Sequence, residues 1–400
     1  MNSTLADIQA LEAQTLLTTY TRIPLLLERG KGAYVFAADG RRYLDFLTGI
    51  GVNALGYSHP RITRVIREQA ARLIHCSNLY YHDYQAPLAQ RLTQLAGMER
   101  AFFTNSGTEA LEGALKLARL HGRARAADKL EIVSLDNSFH GRTFGALSVT
   151  GQAKYRLPYD PGLPGVRFVP ANDRAALAAA VGPRTAAVLV EPIQGEGGII
   201  PLEAEFLTAA ADLAREHGAL LIADEIQCGL GRTGRAFAFK WTEVLPDLVV
   251  TAKPIACGLP LGVILARGAV AEAFTPGMHG TTFGGGPLAC RVALEFLDIW
   301  RDERLEENVA ARGTELQAAL EALKRKQKAV QTVRGRGLML GIELNRPAKP
   351  VVDAARELGL LANATHETVI RLLPPYNVTS ALVHKAVRIL ARALRTRPPA

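Results

Sequence analysis

Two stretches carry side chains that could do chemistry together. ALLIADEIQCGLGRTG, Ala219–Gly234, is an apolar run that ends in Asp224 and Glu225 and continues into Gly229-x-Gly231-x-x-Gly234. LVVTAKPIACG is a second apolar run, and it reaches Lys253 twenty-nine positions after Asp224 (253 − 224 = 29). A lone lysine at a strand end is more often a solvated charge than a nucleophile. Lys253, however, follows uncharged residues and precedes Pro254 and a glycine turn. Desolvation there is expected to lower its pKa and favour Schiff-base chemistry with a carbonyl compound.

The glycines suggest a nucleotide site, but their context does not fit one. A dinucleotide fingerprint must follow its strand directly and open a helix. Here Gly229 comes five positions after Asp224, and RAFAFKW after Gly234 alternates instead of showing helical spacing. No G-x-x-x-x-G-K-[ST] phosphate loop occurs in the 400 residues, which removes the ATPase reading. A lysine paired with an aspartate at a neighbouring strand end suits pyridoxal phosphate instead. That cofactor needs an amine for its aldehyde and a carboxylate to keep its ring nitrogen protonated. It also needs a phosphate site. TNSGTEALEGALKLAR offers one, because Ser106, Gly107 and Thr108 stand where a helix begins, with free N–H groups and a favourable dipole. The plainer reading of Ser-Gly-Thr is an N-cap; the order of all three features makes the stronger signal.

These residues must be positioned by a framework. EIVSLDN, AAVLVEPI, ALLIADEI, LVVTAKPI and GVILAR read as buried strands, separated by helical stretches such as 108–120 and 203–217. Alternation of this kind predicts an α/β fold with a mostly parallel sheet covered on both faces, its ligand beyond the carboxyl ends of the strands. Glu191, Asp224 and Lys253 fall at such ends. The last hundred residues read as a smaller α+β unit, with helical stretches near 302–328 and 378–396 flanking strands such as GLMLGIEL. The hairpin in YVFAADGRRYLDF is expected to join it. The predicted organisation is therefore an N-terminal segment 1–56 joining the small domain, a large cofactor-binding domain 57–289 and a C-terminal small domain 290–400.

Bulk properties narrow the function classes. No run of eighteen apolar residues appears, so no membrane-spanning helix is expected. MNSTLADIQALEAQ carries acids and lacks the basic start of a secretory signal. Cys76, Cys228, Cys257 and Cys290 lie far apart with no Cys-x-x-Cys pair, which points to reduced thiols, a cytoplasmic protein and no metal site. The net charge of +9 is spread along the chain except for the C-terminal RALRTRPP. It favours anionic substrates or partners over nucleic acid, which would call for a compact basic block with aromatics.

The motifs NSGTEALEGALK, SFHGRTFGALS, EPIQGEGG, LIADEIQCGLGRTG, AKPIACGLPLG and HGTTFGGGPLA resemble those of the class III, or ω-amino acid, aminotransferases of pyridoxal phosphate fold type I. The resemblance runs from YLDFLTGIGVNALGYSHP to RLLPP and is strongest to the acetylornithine enzymes. It implies that Lys253 forms the Schiff base and then shuttles a proton, and that Asp224 pairs with the ring nitrogen. Gln227 would hydrogen-bond the ring oxygen and Phe139 would stack on the ring. Ser106, Gly107 and Thr108 would hold the phosphate, with Thr282 reaching the phosphate of a neighbouring subunit in a homodimer. Arg142 and Arg371 match two substrate-carboxylate arginines, and Glu196 the acid that masks the second. On that reading Glu225 supports the loop, the glycines shape a turn, Glu191 is structural and His140 lies behind the reacting groups. Leu111 and Gly286 depart from the family pattern, each standing where it has asparagine.

The implied reaction is exchange of the side-chain amino group of N-acetylornithine with 2-oxoglutarate, in arginine biosynthesis. Ornithine, 4-aminobutyrate and lysine on an acidic carrier protein are alternative donors. Ile50 in FLTGIGVN stands where the ornithine enzymes carry tyrosine, which favours an acylated donor. A racemase or aminomutase of the same fold, and a non-catalytic scaffold, are the remaining alternatives; the intact Lys253 and Asp224 argue against the scaffold.

Overall fold

The structure, a computed structural model, describes residues 4–396. The basic C-terminal stretch read from RALRTRPP therefore lies partly outside the described residues. The chain opens with β1 (Leu27–Lys31), β2 (Tyr34–Ala37) and β3 (Arg42–Asp45), an antiparallel meander whose β2–β3 turn is the hairpin expected from YVFAADGRRYLDF.

The middle of the chain builds the sheet that carries the site. Its strands are β4 (Arg100–Thr104), β5 (Glu131–Leu135), β6 (Val166–Val169) and β7 (Thr185–Val190). After a short hairpin of β8 (Ile193–Gln194) and β9 (Ile200–Pro201) come β10 (Leu220–Asp224), β11 (Leu248–Thr251) and β12 (Gly262–Ala266). The seven-stranded order is β4-β12-β11-β10-β7-β5-β6. All pairings from β11 to β6 are parallel, whereas β12 runs antiparallel to both β11 and β4. Every residue of β7, β10, β11 and β12 is buried, because helices cover both faces. One apolar layer lies under the helix Gly107–Arg123 and another under Ala204–Glu216.

The C-terminal part contributes β13 (Val330–Arg336), β14 (Met339–Leu344), β15 (Leu360–Leu361), β16 (Asn363–Thr365) and β17 (Val369–Leu372). Four of them form the antiparallel sheet β13-β14-β17-β16, while β15 pairs in parallel with β3. The helices Leu305–Lys326 and Ser380–Ala393 match the two expected stretches; Pro287–Asp302 and Lys349–Glu357 are further helices that the periodicity did not single out. No helix among the described residues is long and apolar enough to cross a membrane.

Candidate active site

In a parallel sheet buried on both faces, a polar side chain finds room only beyond a strand end. The register uses this three times on adjacent strands. Ala223 of β10 stands beside Val190 of β7, so Asp224 and Glu191 follow side by side. On the other flank Asp224 stands beside Val250 of β11, and Lys253 opens a 3₁₀ turn two residues past that strand. Asp224 is 3% exposed. Its Oδ1 accepts the Ile226 N–H at 3.0 Å, and its Oδ2 lies 2.7 Å from His140 Nδ1. Burial lowers the pKa of Lys253, against the opposing pull of Glu196 and Asp224, so its amine sits nearer the neutral, nucleophilic form.

Glu191 accepts N–H bonds from Phe139 at 3.1 Å and from Gly195 at 3.4 Å. Burial pushes its carboxyl well above the usual range, with the Asp224 charge adding to the effect. Glu225 points the other way. It accepts from Ala238 N at 2.9 Å, Phe239 N at 2.7 Å and the Cys228 thiol, closing the glycine loop back on the turn Ala238–Trp241. Gly229 has to be glycine there, since a Cβ would meet the Glu225 carbonyl oxygen at 2.5 Å. The acids of the Asp-Glu pair thus face different tasks, and the glycines form a turn.

The start of the helix Gly107–Arg123 closes another side. Ser106 is its N-cap and accepts the Glu109 N–H at 3.3 Å. A Cβ on Gly107 would meet Ile226 at 2.6 Å, so the helix start can approach the Asp224 loop only as glycine. Thr108 Oγ1 lies 2.9 Å from Thr143 Oγ1, which ties the helix start to the loop bearing Phe139 and Arg142. Leu111 is fully buried, so the position departing from the family pattern is a packing position. Gly286 caps Pro287–Asp302 without a side-chain bond, as a residue with no side chain must.

The two arginines differ sharply. Arg142 is exposed, its guanidinium 3.9 Å above the Tyr155 ring centroid and 5.5 Å from that of Phe139. Arg371, on β17, is 0% exposed. Its Nη1 is paired with Glu196 and also donates to Gln227 Oε1 at 3.2 Å, while its Nε donates to Asn363 Oδ1 at 3.1 Å. Burial works to raise the Glu196 pKa, but Arg371 outweighs it and leaves the carboxyl below its ordinary value. Arg371 Nη2 and His140 Nε2 are buried with no hydrogen-bond partner among the described residues. Thr282 is exposed and stands apart from these contacts; its neighbour Thr281 accepts from Asn105 at 3.2 Å. Tyr155 and Asn363 carried no signal in the sequence, because each acts only on an arginine, Tyr155 on Arg142 and Asn363 on Arg371.

These residues suit pyridoxal phosphate. The amine of Lys253 and the carboxylate of Asp224 stand at neighbouring strand ends, a glycine-built helix start offers N–H groups to a phosphate, and Phe139 offers a ring. Fold and site together define a pyridoxal phosphate-dependent aminotransferase of fold type I. Residues 17–394 match the family Aminotransferase class-III, and the chain belongs to that family. It is 46% identical over 385 residues to acetylornithine aminotransferase 1 of Bordetella pertussis, covering 96% of this chain and 98% of that one. Among solved structures, the ornithine aminotransferase of Toxoplasma gondii superposes with a TM-score of 0.93 at 33% identity, covering 98% and 95% of the two chains. The acetylornithine aminotransferase of Elizabethkingia anophelis superposes with a TM-score of 0.87 at 32% identity, covering 98% and 99%.

Proposed function

We propose that this enzyme moves the side-chain amino group of N-acetylornithine to 2-oxoglutarate, as a step of arginine biosynthesis. The observation that carries this reading is the buried Arg371, held by Glu196 yet with one guanidinium nitrogen unpartnered among the described residues, together with an exposed Arg142. The donor presents one carboxylate and the acceptor two. Arg142 takes the carboxylate of the donor while Glu196 covers Arg371. When the acceptor enters, Glu196 withdraws and Arg371 takes the second carboxylate by a charge-assisted, directional pair.

When bound, the cofactor supplies the electron sink for the carbon that loses its proton. The chain does the rest. Lys253 Nζ would be the amine that holds the cofactor's aldehyde group, and once free it would carry the proton at the reacting carbon. Asp224, oriented by His140 and the Ile226 N–H, would keep the ring nitrogen protonated. Gln227 would bond the ring oxygen, Phe139 would cover the ring, and Ser106, Gly107 and Thr108 would hold the phosphate.

Thr282 contributes to the site of a second copy in a homodimer. The exposed apolar side chains Leu73, Ile74, Leu79, Tyr80, Tyr81 and Phe283 support that reading, because a monomer rarely leaves so many in the open. The domain organisation 1–56, 57–289 and 290–400 belongs to the same reading: the β3–β15 pairing supports joining the first segment to the last, while the boundary after 289 falls in the first turn of Pro287–Asp302. Four free cysteines support a cytoplasmic location.

Ornithine is the second reading, favoured by the superposition on the Toxoplasma gondii ornithine aminotransferase. Ile50 weighs against it. The turn Thr48–Gly51 that bears Ile50 is tied to Leu373, two residues past Arg371, by the Thr48 hydroxyl at 2.7 Å. An apolar side chain there offers no hydrogen bond to a free α-ammonium group, whereas an acylated nitrogen carries no charge. The expected result is a kcat/KM for N-acetylornithine about 10²-fold above that for ornithine, the order of one lost polar partner plus desolvation. Steady-state assays with 2-oxoglutarate in excess should compare both with 4-aminobutyrate and an N-acyl-lysine. A clear preference for either of the last two would replace the donor assignment.

A further inference from the structure

We propose that Glu191 is a positioning residue, clasping the two loops that carry Phe139 and Glu196 and thereby setting how readily Glu196 leaves Arg371. The proposal rests on the transamination reading of the site. One carboxyl, buried at the end of β7, accepts from the Phe139 N–H through Oε2 and from the Gly195 N–H through Oε1. Those amides lie fifty-six positions apart (195 − 139 = 56), so no local geometry holds them together. A carboxyl is the side chain whose two oxygens both accept, which lets it take an N–H from each loop at once.

Gly195 immediately precedes Glu196, and a Cβ on it would collide with Gln227 Oε1. That same oxygen accepts from Arg371. The clasp therefore runs along a short path: Glu191 to the Gly195 amide, then to Glu196 and to Arg371. If Glu191 served only to satisfy a stray amide, a buried acid beside Asp224 would be a costly choice, and an amide side chain would do. An amide has one acceptor oxygen where the carboxyl has two, so glutamine at 191 turns an N–H toward one of the two loop amides and loosens that loop.

The test uses the holoenzyme and non-reacting ligands, so it reads binding instead of turnover. Calorimetry with glutarate, a dicarboxylate, and butyrate, a monocarboxylate, should be run on wild type, Glu191→Gln, Glu191→Asp and Glu196→Ala. Glu191→Asp keeps the carboxyl but shortens the reach by one methylene, and it serves if the glutamine variant does not fold. The clasp predicts that the glutarate Kd falls about fivefold in either Glu191 variant, the order of one hydrogen bond released from the covered state. Butyrate binding should hold. Glutarate tightening in Glu196→Ala with no tightening in the Glu191 variants would overturn the clasp alone, as would an equal change for both ligands. An unchanged glutarate Kd in Glu196→Ala would remove the gate itself, and the clasp with it.

Discussion

Asp224 closes one strand of a buried sheet and Lys253 follows the end of the next, whereas Glu196, on a hairpin turn, meets Arg371 of another sheet across a seam. At the strand ends the backbone ladder sets Asp224 beside Val250, three residues before Lys253. At the seam a loop carboxylate, with its side chain a quarter exposed, rests on an arginine with none exposed. Breaking a buried pair by removing one partner leaves an uncompensated charge. Here the acid is the accessible partner, so it can swing out and a substrate carboxylate can replace it. Asp224 is carried by the ladder, and Glu196 by a contact that can open.

Perturbing the strand ends should stop chemistry, and perturbing the seam should redirect it. The largest effect is expected at Lys253. Lys253→Ala should lower kcat by roughly 10⁴-fold or more, since it removes both the amine for the aldehyde and the proton carrier. Borohydride treatment of the wild type followed by peptide mapping should find the cofactor fixed to Lys253; fixation on another lysine would reassign the site. Asp224→Ala comes next, with some cofactor retained and turnover reduced by roughly 10²-fold or more, because an unprotonated ring is a poor electron sink. Near-normal turnover would mean that another group supplies the ring's proton, and that the His140–Asp224 contact serves packing alone.

The seam should give a smaller and different signature. Glu196→Ala uncovers Arg371, so a donor with an α-amino group and two carboxylates, such as glutamate, should react better in the first half-reaction. The ratio of ω-donor to glutamate rates in single-turnover spectra should fall by about tenfold, the order of one charge-assisted bond. An unchanged ratio would show that Glu196 does not gate Arg371.

The same contrast explains what could be read in the sequence. Polar residues closing apolar runs announced Asp224 and Lys253, because a buried parallel strand tolerates such residues only at its end. Ser106 announced a helix start for a similar local reason. The seam had no such local signal: Glu196 and Arg371 lie 175 positions apart (371 − 196 = 175), and only the family resemblance paired them. His140 meets Asp224 across β-strands, Tyr155 supports Arg142 from a four-residue helix, and Asn363 bonds Arg371 from a neighbouring strand. The antiparallel β12 was read as one more buried strand, since an apolar run such as GVILA does not encode its direction. The turn Thr48–Gly51 was also hidden. It places four successive residues at positive φ, including the β-branched Thr48 and Ile50, a conformation that only its surroundings can impose. Asp45 does much of this by accepting the Leu47 N–H at 2.7 Å and the Thr48 N–H at 2.9 Å.

The smallest expected effect concerns Glu225, the acid next to Asp224 that faces away from the reacting groups. Burial pushes its carboxyl up to about 7 from an ordinary 4.5, against the opposing amides of Ala238 and Phe239 and the Cys228 thiol. Between those values the folded chain holds a proton that the unfolded chain has released, so stability falls as pH rises. The contribution is fully present below pH 4.5 and is lost as pH passes 7, a span on the order of 3 kcal/mol at most. Glu225→Gln cannot titrate, so its unfolding free energy should vary less between pH 5 and pH 8 than that of the wild type. It should also be less stable at pH 5, where the wild-type carboxyl is already protonated, because an amide nitrogen must then face one of the two backbone N–H groups. Its kcat/KM should stay within about threefold, since the residue orients the Ala238–Trp241 turn and touches no substrate group. Denaturant titrations of both proteins at pH 5, 6, 7 and 8 would decide it. Parallel stability curves would show that Glu225 is already ionised at pH 5, and a large loss of kcat/KM would place it among the reacting groups with its neighbour.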